Sequence, residues 1–178
     1  MQLVEANCAF LNGGMMIPPT FLKRDPVAAQ ALAERVVSPE TSEKMRYLFR
    51  LNVTNGSGTQ ADVPGYRIGG KTGTAEKVSP TGGYDKNARL NSFLAAFPME
   101  APRYLVLIVL DDPKATPETA GLATAGWNAA PTAGRVIARI APVLGVTPVL
   151  TAQELEKIAA DEKKLEAARA KQATAGTQ

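Results

Sequence analysis

Hydrophobic positions along this chain change their spacing several times, and each change marks an element. Residues 2–11 mix apolar and small side chains in a way that suits a short helix. Asn12-Gly13-Gly14 stops it, because glycine accepts the left-handed conformation that closes a helix C-terminus. Residues 15–17 read as a brief extended piece, after which Pro18-Pro19 bars helix continuation. Ser38-Pro39-Glu40 is a helix start: a serine N-cap, proline at the first helical position and an acid at the positive end. From there Met45, Leu48, Phe49 and Asn52 fall on one mostly apolar face, with Lys44, Arg46 and Arg50 turned elsewhere, which predicts a helix over 38–52. Residues 54–59 form a turn-rich loop leading into a strand predicted over 66–78.

Beyond the 79–83 loop the period shortens. Residues 90–97 and 103–110 are strand candidates, and the proline-bounded link 98–102 predicts an antiparallel hairpin. Residues 104–110 are apolar throughout, the pattern of a strand buried on both faces. A long Pro-, Thr-, Gly- and Ala-rich loop over 111–126 follows. Pro131 then opens a helix whose stripe is Ala133, Val136, Ile137, Ile140 and Leu144, best satisfied by lying across the sheet. Pro142 limits the regularity of its end. From Thr151 the composition turns to Ala, Glu, Lys and Gln, predicting a solvated helix that frays into a disordered tail over 174–178. These elements make a mixed α/β protein, with an antiparallel sheet packed between the 38–52 and 131–144 helices.

Composition narrows the chemistry more than the fold. Of 178 residues, 45% are hydrophobic and 21% charged, the balance of a globular protein. The net charge of +3 is spread evenly, with no basic run interleaved by aromatics, so nucleic acid is not an expected partner. The chain has no histidine, which removes zincin, Ser-His-Asp and Cys-His mechanisms from this chain by itself. Cys8 is the single cysteine and lies in an apolar stretch, where it is expected as a small core residue. No segment reaches the roughly 18 to 20 apolar residues that span a bilayer. Residues 1–5 lack the early positive charge and longer apolar core of a secretory signal.

One stretch names a chemistry: Gly69-Gly70-Lys71-Thr72-Gly73-Thr74-Ala75, preceded by Gly65-Tyr66. A Lys-Thr-Gly on a strand puts a cation, a hydroxyl and an unobstructed backbone at the edge of a cleft. That set suits acyl transfer on a substrate bearing a carboxylate. With this motif, the 56–59 loop, the following hairpin and the 127–144 helix, the chain resembles the penicillin-binding proteins, and among them the class B peptidoglycan D,D-transpeptidases. The similarity is greatest to the septal, cell-division type, through Glu76-Lys77-Val78, Gly82-Gly83-Tyr84 and Asp111-Asp112-Pro113.

The resemblance implies roles. Lys71 would bring positive charge to the cleft and help proton movement around the nucleophile. Thr72 and Thr74 would hydrogen-bond the terminal carboxylate of a D-Ala-D-Ala stem peptide or of a β-lactam. The backbone N–H of Thr74 would supply half of an oxyanion hole, and Gly73 would leave room for substrate. No cofactor or metal is implied. Partners would be peptidoglycan stem peptides, β-lactams, division-complex proteins and a glycan polymerase, on the periplasmic side of an inner membrane.

The family's other two markers are absent from this chain. No serine has a lysine three places on, and the residues two after Ser38, Ser42, Ser57, Ser79 and Ser92 are Glu40, Lys44, Thr59, Thr81 and Leu94, so Ser-x-Asn is missing too. Residues 1–148 are therefore expected to be the C-terminal part of a transpeptidase domain, with 149–178 an appended tail. Such a piece is expected to be inactive alone, its nucleophile and membrane anchor lying upstream. Two other readings stay open at this point: a related serine D,D-carboxypeptidase or β-lactamase, and a non-catalytic module that binds peptidoglycan peptides.

Overall fold

The strand carrying Lys71-Thr72-Gly73 forms one edge of a three-stranded antiparallel sheet in a computed structural model of the chain, which describes residues 1–175. In chain order the elements are α1 (Gln2–Leu11), β1 (Met15–Met16), α2 (Pro26–Gln30), β2 (Glu34–Arg35), α3 (Pro39–Asn55), β3 (Gly69–Val78), β4 (Tyr84–Phe97), β5 (Tyr104–Asp111), α4 (Ala129–Val143) and α5 (Ala152–Ala175). The sheet runs β3-β4-β5, while β1 and β2 pair in a small separate ladder.

Alternation along β4 explains the layering. Phe93, Ala95 and Phe97 point to one face, where they are buried against Ile68 and against Ala129, Ala133 and Ile137 of α4. Leu94 and Ala96 point to the other, where they meet Leu11 of α1, Phe49 of α3 and Met99. The central strand is thus loaded on both sides. Full burial of rings such as Phe93 and Phe97 is worth about 1.5–3 kcal/mol each. The helix facing the first cluster is rich in small residues, so it lies close: a Cβ added at Gly134 would come within 3.0 Å of the Ala61 carbonyl oxygen. The result is three layers, α4, sheet, and α1 with α3, as the pattern of apolar positions predicts.

Several boundaries differ from expectation. The motif strand begins at Gly69 rather than residue 66, because Gly65 and Arg67 have φ of 81° and 49° and turn the chain before it can extend. β4 begins at Tyr84, six residues before the apolar run, because 79–83 closes a tight hairpin with Ser79 N–H on the Gly83 carbonyl at 3.0 Å. α3 continues through Thr54 and Asn55, which the sequence assigns to a loop. Its buried face is Ser42, Phe49 and Val53, whereas Leu48 is 52% exposed. Arg50 turns inward because Asp62 takes it bidentately and the Ile68 carbonyl accepts a third bond.

The strand expected to be buried on both faces, β5, is only half-buried. Its two faces do pack, Val106 and Ile108 toward the α4 side and Leu105 and Leu107 toward the other. It is nevertheless an edge strand among the described residues, and Val109 is 50% exposed. Cys8 is exposed rather than core, since Ala9 and Leu11 take the inward positions of α1. α2 was not legible as a helix; Asp25 caps it by accepting from the N–H groups of Val27 and Ala28. The 111–126 loop contains two 3₁₀ turns, Pro117–Thr119 and Ala125–Trp127. α5 is regular through Thr174 and Ala175; the rest of the expected tail, 176–178, lies outside the described residues. Among the described residues no helix is long and apolar enough to cross a membrane.

Candidate functional site

Alternation along β3 sorts the motif. Thr72 and Thr74 stand opposite Phe93 and Asn91 on the α4 side of the sheet, while Lys71 and Gly73 stand opposite Leu94 and Ser92 on the other. The two threonines line a hollow of about 250 Å³. Its remaining walls come from Ser57 and Gln60 of the segment after α3, and from Ala125 and Trp127 of the segment before α4. Lys71 does not itself line this hollow. Its ammonium curls along the strand to donate to the Thr72 carbonyl at 2.8 Å, which leaves it 3.5 Å from Thr72 Oγ1. The structure therefore brings Lys71, Thr72 and Thr74 to one strand edge, with Gly73 half-buried between them.

Hydrogen bonds hold each wall to the strand. Asn52, near the end of α3, donates from Nδ2 to the Gly70 carbonyl at 2.8 Å. Its Oδ1 accepts from the Ser57 N–H and the Ser57 hydroxyl, both at 3.2 Å. Ser57 Oγ in turn lies 2.7 Å from Thr72 Oγ1. On the far wall, the Ala125 N–H donates to Thr74 Oγ1 at 3.2 Å. Behind Thr74, fully buried Asn91 donates to the Ala123 carbonyl at 2.7 Å and to Asn128 Oδ1 at 3.0 Å. Asn91 Oδ1 and Asn128 Nδ2 have no protein partner.

Space along the strand is uneven. A Cβ at Gly70 would sit 2.5 Å from the Leu94 carbonyl oxygen and 2.6 Å from Phe93 Cζ, so close packing of β3 on β4 requires glycine there. At Gly73 the only contact under 3 Å is with Ser92 Oγ, at 2.6 Å. Gly73 is thus dispensable to packing, which fits a position kept open for something else.

At the far end of the strand Lys77 pairs with Asp111 at 2.7 Å, and this bond holds the ammonium above its ordinary pKa. Cys8 lies elsewhere, on a larger cavity of about 430 Å³ between α1 and β5 that shares no residue with the motif. The residue is exposed overall but lines that cavity; desolvation, and then the Glu5 carboxylate, push its pKa up. The described residues contain no cluster suited to a metal ion.

Sequence reasoning placed Lys71, Thr72, Gly73 and Thr74 on the site strand. In the sequence Ser57 belongs only to the flanking 56–59 loop, and Asn52 to a mostly apolar helix face. Their contact with the strand depends on the turn at residues 56–58, which folds back 15 residues ahead of Thr72. The polar residue on that otherwise apolar face was the available signal.

A three-stranded sheet between helical layers, with a Lys-Thr-Gly-Thr edge strand beside a polar hollow, is the arrangement of the penicillin-binding transpeptidase fold. The chain belongs to the penicillin-binding protein transpeptidase domain family, whose model matches residues 1–138. It is 46% identical over 173 residues to the probable peptidoglycan D,D-transpeptidase FtsI of Caulobacter vibrioides, which covers 91% of this chain and 29% of that protein. The solved apo transpeptidase domain of penicillin-binding protein 3 from Burkholderia pseudomallei superposes with a TM-score of 0.72 at 32% identity, over 84% of this chain and 44% of that one. Penicillin-binding protein 3 of Mycobacterium tuberculosis, solved in complex with ampicillin, gives a TM-score of 0.67 at 26% identity, over 85% and 36%. The chain therefore spans less than a third of the Caulobacter relative.

Proposed function

We propose that this chain forms the carboxylate-reading wall of a peptidoglycan D,D-transpeptidase acting in septal cell-wall synthesis. In this reading residues 1–148 are the C-terminal part of the domain and 149–178 an appended helix and tail. The observation that carries it is the pair of threonine hydroxyls, Thr72 and Thr74, opening on one hollow with the Lys71 ammonium 3.5 Å from the first. A carboxylate has only acceptor atoms, so two hydroxyl donors beside a cation match a free C-terminus.

The chemistry follows from that placement. Bound through its terminal carboxylate, a D-Ala-D-Ala stem would lay its penultimate carbonyl along β3. The Thr74 N–H would then face the oxygen that becomes negative when a serine, supplied from outside this chain, attacks. One such donor is worth about 2.7–4 kcal/mol of barrier. Lys71 would lower the cost of the substrate's charge and favour loss of the serine proton. The terminal D-Ala leaves, and an amine of a neighbouring stem takes the acyl group. A β-lactam carboxylate fits the same clamp, in line with the ampicillin complex of the Mycobacterium relative. Division-complex proteins and a glycan polymerase would be partners of the whole protein, anchored in an inner membrane and facing the periplasm.

Two measurements test this. The isolated chain should form no covalent adduct with a fluorescent penicillin, whereas the whole protein should form one on a serine; an adduct on any serine of this chain, seen by intact mass, refutes the assignment. The isolated chain should still bind a D-Ala-D-Ala peptide weakly, and lose it in Lys71→Ala.

A further inference from the structure

We infer that Ser57 is a positioning residue that turns its hydroxyl hydrogen to Thr72 when a ligand enters, freeing Thr72 to donate, so that the hollow selects an acceptor-only group. This rests on the carboxylate-reading role proposed above and identifies what enforces it.

A threonine hydroxyl can donate or accept, and a site meant to read a carboxylate must remove the second option. For Thr74 the backbone narrows it: the Ala125 N–H takes one acceptor position of Oγ1 at 3.2 Å, leaving the hydroxyl hydrogen to point elsewhere. For Thr72 the nearest group is Ser57 Oγ at 2.7 Å, and either oxygen can supply the hydrogen. Asn52 offers the Ser57 hydrogen its alternative acceptor. Its amide orientation is locked because Nδ2 donates to the Gly70 carbonyl at 2.8 Å, which turns Oδ1 toward Ser57. That oxygen accepts both the Ser57 N–H and the Ser57 hydroxyl at 3.2 Å, so it keeps one hydrogen bond when the hydroxyl hydrogen turns to the shorter contact with Thr72.

Ser57 can therefore rotate its hydrogen from Asn52 to Thr72 without moving a heavy atom. Once it does, Thr72 Oγ1 accepts the Ser57 hydrogen, and its own hydrogen is free to point into the hollow. Chained donors polarise one another, so the Ser57 bond strengthens the one Thr72 makes to a ligand. The Lys71 ammonium, 3.5 Å from the same oxygen, acts in the same sense. A carboxamide in this place would have to turn an N–H toward a hydroxyl that already accepts from Ser57 and lies beside a cation.

The test compares two peptides ending in D-Ala-D-Ala, one with a free carboxylate and one with a carboxamide, binding to this chain by NMR titration. Wild type should prefer the carboxylate. Ser57→Ala should reduce that preference roughly three- to tenfold, the weight of one hydrogen bond, with carboxamide affinity unchanged. Ser57→Thr keeps the hydroxyl and should restore the preference. In a Thr72→Val background, adding Ser57→Ala should change nothing. If Ser57→Ala keeps the wild-type preference, or weakens both peptides equally while its melting curve is unchanged, the role of Ser57 is refuted and the carboxylate reading stands. If wild type shows no preference for the carboxylate, the reading itself fails and this inference falls with it.

Discussion

Two glycines of the motif strand should respond oppositely to the same substitution. Gly70→Ala places a methyl group 2.5 Å from the Leu94 carbonyl oxygen and 2.6 Å from Phe93 Cζ. Neither neighbour can retreat, since one is backbone of the central strand and the other a fully buried ring. Overpacking of this kind costs about 1–3 kcal/mol. Stiffening of the unfolded chain by alanine returns about 0.4–1 kcal/mol, so the net loss is roughly 1–2 kcal/mol. For a chain of this size 1 kcal/mol moves Tm by about 2–4 °C, which predicts a fall of roughly 2–8 °C. Gly73→Ala meets only the Ser92 hydroxyl, the end of a side chain that can rotate, so its Tm should be unchanged or slightly raised. Calorimetry gives both Tm values, and urea titration should show a lower midpoint with unchanged slope for Gly70→Ala alone. The packing argument is refuted if Gly70→Ala melts at or above wild type, or if Gly73→Ala falls as far.

Asn91→Ala should leave the Ala123 carbonyl without its donor, at a cost of about 1–3 kcal/mol, and speed hydrogen exchange at the Ala125 amide; unchanged exchange there would show that Asn91 does not hold this wall. Glu154 gives a pH prediction. Its carboxylate accepts from the Thr151 N–H at 2.7 Å, the main cause of its lowered pKa, and from the Gly65 N–H at 3.2 Å. A lowered folded pKa means the contribution is complete above the ordinary carboxylate pKa and is lost as pH falls through the depressed value. Exchange at the Gly65 and Thr151 amides should therefore rise on acidification beyond the intrinsic trend, and Glu154→Gln should abolish that dependence.

What was legible in the sequence was governed by local rules. Ser38 and Pro39 announce α3, Gly13 and Gly14 close α1, and the alanine and isoleucine stripe announces α4, because caps and periodicity act within a few residues. The motif strand was legible from residue types alone. What escaped depends on distant neighbours. Arg50 reads as solvated until Asp62 and the Ile68 carbonyl come to it. β5 reads as a central strand because both its faces are apolar, yet the number of strands beside it is not written within it. Residues 85–89 carry no element signal in the sequence, since the turn end of a hairpin needs no hydrophobic alternation. At the site, Thr72 and Thr74 were found from the motif, but the Asn52 and Ser57 pair that orients Thr72 was not, because a turn rather than a spacing creates it.

The sheet order β3-β4-β5 also bears on how this wall comes into being. Each strand pairs with the next along the chain, across links spanning only 79–83 and 98–103. Pairings this local are the fast kind: hairpins close in about 1–10 μs, and low contact order speeds folding generally. α3 and α4, which flank the meander in sequence, need only dock onto it. The strand bearing Thr72 and Thr74 is thus paired by short-range events, whereas the contacts from Ser57 and Ala125 that order the two hydroxyls, 15 and 51 residues away, come only when α3 and α4 dock.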